Sequence, residues 1–444
     1  MTAIHTINKR MIVGLGMTGL SAARWCQRQG YAFDLCDTRT QVPGLAAVKA
    51  EFPRATIFTG PLQADILSAY DQLIVSPGVA IHEPAIQAAA AAGAEISGDV
   101  QLFAERCQQP IIAITGSNGK STVTTLVGEL LAAAGKQVAV GGNIGVPVLD
   151  LPAAEIYVLE LSSFQLETTR NLNAAAAVIL NLSEDHLDRY DGMAGYLQAK
   201  QRIFQGCRLA VVNRDDAATS APAGTAVIRF GLDAPVAGAF GLQRVQNESW
   251  IVLGEQPVIA ASELKIKGQH NLANVMAALA LVQAVGVAPQ TVLPALRQFA
   301  GLEHRCQWLG QREGVSFYND SKGTNVGSTL AAINGLGPEI NGKIWLLAGG
   351  EGKGQDFKPL ADSCHQYAAA VLTFGADGGK ISAAVNGHCP TENFATLDDA
   401  FATALQHAQN GDVILLSPAC ASFDQFRNYV QRGEYFRTLV EAQL

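Results

Sequence analysis

Residues 111–122 constrain the fold more than any other stretch of the chain. An apolar, β-branched run, Ile111 to Ile114, leads to the loop Gly116-Ser117-Asn118-Gly119. It passes directly into Lys120-Ser121-Thr122 and a helical apolar pattern from Val123 to Leu131. Strand, glycine loop, Lys-Ser/Thr and helix in that order define a phosphate-gripping loop at the carboxyl end of a strand. Glycines let successive backbone N–H groups curl around phosphate oxygens. The helix N-terminus adds unpaired donors and a favourable dipole. Lys120 is placed to reach the outer phosphates, and Ser121 or Thr122 to hold Mg²⁺. The loop departs from G-x-x-x-x-G-K-[ST] at its first glycine. A turn and helix cap with no ligand is the plainer reading of the same residues.

At 444 residues the chain exceeds a single core, so two or three domains are expected. The net charge of −8 argues against nucleic acid or an anionic membrane as the main partner. No apolar run is long enough to span a bilayer. The start, Met1 to Thr6, lacks the basic and apolar regions of a secretion signal. Eight cysteines, with no C-x-x-C pair, read as reduced thiols. A cytoplasmic protein is expected.

The fold class expected is α/β, in three consecutive units. The first, 1–98, opens with a strand (Met11 to Val13), the loop Gly14-Leu15-Gly16-Met17-Thr18-Gly19, and a helix through Trp25 and Cys26. A second strand, Tyr31 to Cys36, ends at Asp37. G-x-G-x-x-G with an acid at that distance resembles a dinucleotide site in a Rossmann-like domain. A third strand runs into Ser76-Pro77-Gly78. The P-loop unit, 99–301, carries strands at 137–140, 156–159, 177–180 and 209–212, a small β insertion over 225–260, and a helix from Gly268 to Val285. The last unit, 302–444, alternates strands (343–347, 370–374, 413–416) with helices (328–334, 397–408, 424–430) and is again Rossmann-like.

A P-loop needs metal and catalytic partners. Glu160 follows an apolar strand, where a Mg²⁺ ligand would stand, although a salt-bridged surface glutamate fits the same pattern. Asn181 to Arg189 crowds five ionisable residues behind another strand. Taken alone, His186 reads equally as a core histidine, Lys200 as a lysine on a helix surface, and Lys353 as a solvated loop lysine.

Together these blocks resemble the Mur ligase family along the whole chain. The carriers are Thr115 to Thr122, Gly142-Asn143-Ile144-Gly145, Glu160 to Leu166, Asn181 to Arg189 and Gly268 to Asn274. Within the family, Tyr318 to Asn325 and Ser417 to Phe426 look like the D-glutamate-adding branch. The resemblance implies an ATP-dependent ligase that adds D-glutamate to UDP-N-acetylmuramoyl-L-alanine during peptidoglycan synthesis. The family's loop also tolerates a residue other than glycine at that first position, which is Ala113 here.

The resemblance also implies roles. ATP contacts fall on Gly116, Ser117, Asn118, Gly119, Lys120, Ser121, Thr122, Asn271, Asn274, Arg305, Asp320 and Lys322. The UDP moiety, rather than NAD, falls on Gly16, Met17, Thr18, Asp37, Thr38, Arg39, Ser76, Gly78 and Asn143. D-glutamate falls on Thr324, Lys353, Ser422 and Tyr429. Two Mg²⁺ sites are implied, one at Ser121 or Thr122 with Glu160, one at His186 with Lys200 as a carbamate. Catalytic roles fall on Lys120, Glu160, His186 and Lys200. Gly323 stands where relatives usually have Ala, a change expected to loosen its loop. Tyr429 stands where Phe is common, and a backbone contact there would make the change silent. A hinge near 299–303 should close the last unit onto the P-loop, and a monomer is implied. Rival readings are another amide-forming ligase of the superfamily, an NAD-dependent oxidoreductase, and a non-catalytic nucleotide-binding regulator.

Overall fold

The computed structural model describes residues 7, 9–187, 189–245 and 248–444. Met1 to Thr6 and Asp188, within the 181–189 block, lie outside the described residues.

The first sheet holds β1 (Arg10–Val13), β2 (Phe33–Asp37), β3 (Ile57–Thr59), β4 (Gln72–Val75) and β5 (Glu95–Ser97), ordered β3-β2-β1-β4-β5 and parallel throughout. This is the Rossmann order, whose direction reverses between β1 and β4, so a crevice opens at their carboxyl ends. Gly14 follows β1 and Ser76 follows β4. A Cβ on Gly19 would stand 1.8 Å from the Gly14 carbonyl oxygen, so only glycine lets the first helix, Met17–Arg28, pack this closely.

The central sheet comprises β6 (Ile111–Thr115), β7 (Val138–Gly142), β8 (Ile156–Glu160), β9 (Ala176–Ile179), β10 (Leu209–Asn213), β11 (Ala226–Phe230), β12 (Phe240–Val245), β13 (Glu248–Leu253) and β14 (Gln256–Ala260). Its order is β14-β13-β12-β11-β10-β9-β6-β8-β7. The small β portion expected over 225–260 is continuous with this sheet. Its strand β11 extends the parallel part, and β12 to β14 form an antiparallel edge. Ile112, Ile114, Val158 and Val178 pack on one face with Leu126, Leu130 and Leu279. Ile111, Ala113, Tyr157 and Leu159 pack on the other. Apolar side chains on both faces mark a strand covered on both sides, and each such burial stabilises by about 1.5–3 kcal/mol. The second of these cores also includes Ile12, Leu15 and Ala22, so the first two units share a core.

The third sheet comprises β15 (Gln307–Arg312), β16 (Val315–Asn319), β17 (Ile344–Gly349), β18 (Ala368–Phe374), β19 (Thr391–Phe394) and β20 (Val413–Leu416), ordered β15-β16-β20-β17-β18-β19. All pairings are parallel except the β15–β16 hairpin. The helix expected at 424–430 is absent there. Turns occupy 424–428, and the helix runs Tyr429–Glu441, because the Asn428 side chain accepts from the Gln431 N–H and caps it. No described helix is long and apolar enough to cross a membrane.

Candidate active site

The phosphate loop joins β6 to the helix Lys120–Ala133. Gly119 has φ +81°, and a Cβ there would lie 2.5 Å from Asn274 Oδ1, so strain and space both demand glycine. The loop is braced from below β9. Asn181 Oδ1 accepts from the Asn118 N–H at 2.8 Å, and Asn181 Nδ2 donates to the Asn118 carbonyl at 3.1 Å. Ser117 Oγ donates to the Ser183 carbonyl and accepts its N–H. Lys120 Nζ donates to the carbonyls of Gly116 and Ser117, both at 2.9 Å.

Lys200 is not on a helix surface. It is 1% exposed, on the helix Gly192–Gln201, and its Nζ donates to the Gly116 carbonyl at 2.9 Å. Its Nζ also lies 4.5 Å above the Tyr196 ring. Burial, and then the Lys120 charge, push the amine well below the usual lysine range. Lys120 is also lowered by burial, against the pull of Glu160 and Asp185. Glu160, at the end of β8, is 2% exposed. Asn143 Nδ2 donates to its Oε1 at 2.8 Å, while Oε2 is buried without a partner. A buried, half-satisfied carboxylate oxygen is costly unless a cation completes it, so this donor set fits Mg²⁺.

His186 is no core histidine, since its side chain is 37% exposed. It adopts a left-handed backbone (φ 56°), packs edge-on against Phe164, and holds Nε2 3.6 Å from Asp185 Oδ2. Asp185 was not singled out by the sequence reading, yet its charge bears on both Lys120 and Lys200.

The third unit lies against this loop. Arg305 Nη2 donates to Ser121 Oγ at 2.7 Å, and Ser328 Oγ donates to Asn118 Oδ1 at 2.7 Å. Lys322 Nζ sits 3.9 Å above the Tyr429 ring, and burial with the nearby Arg305 and Lys120 charges lowers its pKa to about 8. Lys120, Lys322 and Arg305 thus converge around Glu160, with Asp185 acting on Lys120 and Lys200, a field suited to a polyanion. Asn271 and Asn274 pair with each other at the head of the helix Gln269–Ala284.

Some expected contacts are already committed within the chain. Asp320 accepts from Ser417 Oγ at 2.7 Å and from the Cys306 N–H at 3.1 Å, and burial raises its pKa to about 7. The Tyr429 carbonyl accepts from Ser321 Oγ, and its ring carries Lys322, a contact that a Phe ring could also make. The Asn143 side chain is held by Glu160. At Gly323 a Cβ would fall 2.5 Å from Asp320 Oδ2 and 2.9 Å from Ser417 Oγ, so glycine makes room for that pair.

The loops after β16, β17 and β20 carry Thr324, Lys353 and Ser422. A bridge between Glu351 and Ala421 joins two of them. Arg432, fully buried and unnoticed in the sequence, ties all three. Its guanidinium donates to the carbonyls of Ser321, Gly349 and Cys420. Ser422 is buried, whereas Lys353 is exposed in a left-handed conformation (φ 52°).

All nine residues expected at the UDP moiety line one cavity of about 510 Å³. It opens at the carboxyl ends of β1, β2 and β4 and is closed by Asn143, Pro147 and Gln165 of the central unit. Asp37 shapes its rim. It accepts from the Leu15 N–H at 2.8 Å and from Arg39, which holds its carboxyl at about 2. Arg189 ties the two units by donating to the Pro77 and Val79 carbonyls while pairing with Glu167.

Sequence profiles of three domains match the chain in order. They are a Mur ligase MurD-like N-terminal domain over 8–98, a Mur ligase middle domain over 114–282, and a Mur ligase glutamate ligase domain over 304–420. The chain is 51% identical over 445 residues to the UDP-N-acetylmuramoylalanine--D-glutamate ligase of Pseudomonas fluorescens, covering 99% of each. It is 50% identical to the enzymes of that name from Pseudomonas aeruginosa (99% of each) and Marinobacter nauticus (100% of each). Among solved structures, a pseudomurein peptide ligase type C from Methanothermus fervidus superposes with a TM-score of 0.64 at 16% identity, covering 98% of this chain and 100% of that one. UDP-N-acetylmuramate-alanine ligase MurC from Thermotoga maritima gives 0.62 at 20%, with the same coverage. These structures share the fold.

Proposed function

The chain belongs to the Mur ligase family, and from that premise we propose that it is the ATP-dependent ligase that adds D-glutamate to UDP-N-acetylmuramoyl-L-alanine in peptidoglycan precursor synthesis. The observation that carries this reading is end-to-end identity of about half with enzymes of that name. The geometry supports it: a diphosphate-sized cavity, a phosphate loop and a third loop cluster follow one another across the three units.

The chemistry joins a carboxylate to an amine. A carboxylate resists attack because oxide is a poor leaving group. Transfer of the γ-phosphoryl group to its oxygen gives an acyl phosphate and ADP. The D-glutamate amine then adds to the acyl carbon, the tetrahedral intermediate expels phosphate, and the amine sheds a proton. Two anions must meet in the first step, and Lys120, Lys322 and Arg305 counter that repulsion. Bound Mg²⁺ would neutralise phosphate oxygens and bring them beside the substrate carboxylate, held by Glu160 with Ser121 or Thr122, and at a second site by His186 with a modified Lys200. Lys200 is suited to modification. An amine kept neutral by burial adds CO₂ and releases a proton, which turns it into an anionic oxygen donor. Lys353, Thr324, Ser422 and Tyr429 would receive the amino acid. Arg432 fixes the loops that carry them. We place the enzyme in the cytoplasm, acting as a monomer.

The test is phosphate release by the purified chain. It should require ATP, Mg²⁺, UDP-N-acetylmuramoyl-L-alanine and D-glutamate together. Equal turnover with L-glutamate or L-alanine, or phosphate release without the amino acid, contradicts the reading.

A further inference from the structure

A second cavity, of about 400 Å³, opens at the amino ends of β1 and β2, the end of the first sheet opposite the UDP-sized cavity. In open parallel sheets ligands gather at the carboxyl ends, so fold alone does not account for a pocket here. Its composition does point to an occupant. Arg10 lines it and is only 8% exposed, yet its Nε is buried without a hydrogen-bond partner, and among the described residues it forms no ion pair. Its guanidinium lies 3.8 Å from the centre of the Tyr31 ring. The ring face attracts the cation but accepts no hydrogen bond from Nε in the plane of the guanidinium, so that donor is left for another partner. The lining acid, Asp34, is turned elsewhere: it accepts from Tyr70 Oη at 2.7 Å and from the Thr56 N–H at 2.6 Å. Phe33 and Phe52, packed edge to face, supply apolar wall, and the exposed Arg54 adds positive charge at the rim.

We propose that this cavity is a binding site for a small anion carried on a flat ring, its carboxylate or phosphate meeting Arg10 and its ring lying among Tyr31, Phe33 and Phe52. The volume suits one or two rings. The site is separate from the nucleotide-sugar cavity, because β1 and β2 run the length of the sheet between them. It stands whether or not the ligase reading does.

The test titrates the full-length protein, with UDP at saturation, against naphthalene-2-carboxylate, phenyl phosphate and the neutral naphthalene-2-carboxamide, followed by ligand-detected saturation-transfer NMR. At least one anion should bind with a millimolar or tighter Kd, and the amide at least about fivefold more weakly. Relative affinity of the two anions tells carboxylate from phosphate. Arg10→Met should weaken the anion by about tenfold, and Arg54→Glu by about threefold or more. The proposal is overturned if neither anion binds, if the amide binds equally well, or if a folded Arg10→Met protein keeps wild-type affinity. Should Arg10→Met fail to fold, Arg54→Glu decides, and unchanged affinity in it overturns the proposal.

Discussion

Lys200 Nζ donates to the carbonyl of Gly116 at 2.9 Å, so a lysine from a helix some eighty residues downstream closes the back of the phosphate loop. Buried there and shifted toward the neutral amine, it is placed to take up CO₂. Lys200→Ala should lower turnover by about 10²–10³-fold, the scale for losing one preorganised charged group in a catalytic site. Formate, acetate or propionate at high concentration should restore part of that activity, and should do nothing for Lys120→Ala. An alanine variant as active as the parent would remove Lys200 from the mechanism.

Glu160 keeps one carboxylate oxygen buried and unpaired. Glu160→Gln should raise the Mg²⁺ concentration needed for half-maximal activity by at least about tenfold. It should leave the fold intact, because the Asn143 contact to the side chain can persist and only the charge that a metal would meet is gone. Mg²⁺ titration of initial rates with a thermal melt reads both. A melt that falls while the Mg²⁺ midpoint stays put would make Glu160 structural.

Lys322 carries a pKa of about 8, held down first by burial and then by its cationic neighbours. Its charged form attracts phosphate, and that form declines as pH rises through about 8. The kcat/KM for ATP, which reports the free enzyme, should therefore fall above pH 8. Lys322→Arg, always charged and still able to stack on Tyr429, should flatten that fall. An identical alkaline limb in both proteins would assign it to another group.

Gly19 faces the Gly14 carbonyl so closely that any Cβ would force the helix away. Gly19→Ala should destabilise the protein by about 1–3 kcal/mol and weaken UDP binding. ATP binding should be spared, because the phosphate loop belongs to another sheet. Calorimetric titration with each nucleotide separates the two effects.

The two glycine loops were legible in the sequence because positions such as Gly14, Gly19 and Gly119 admit only glycine. Each announces itself by spacing alone. Glu160 was legible because it ends an apolar strand. Lys200 and Arg432 were not: their burial is made by segments far away in the chain, and a lone cation in a helix carries no mark of that. The family resemblance, not the residue pattern, pointed to Lys200. Asp185 was lost in a crowd of charges, although its charge bears on both Lys120 and Lys200. The helix Pro289–Gln298 was hidden by its two prolines, and the β15–β16 hairpin by Gly310, Gly314 and an exposed Trp308.

The central claim is that the phosphate loop sends the γ-phosphoryl group to a substrate carboxylate rather than to water. UDP-N-acetylmuramoyl-L-alanine labelled with ¹⁸O in its carboxylate, turned over with ATP and D-glutamate, tests this directly by mass spectrometry of the products. The account predicts one labelled oxygen in each released phosphate, because the acyl phosphate breaks between carbon and the bridging oxygen. Amide product accompanied by unlabelled phosphate would contradict it.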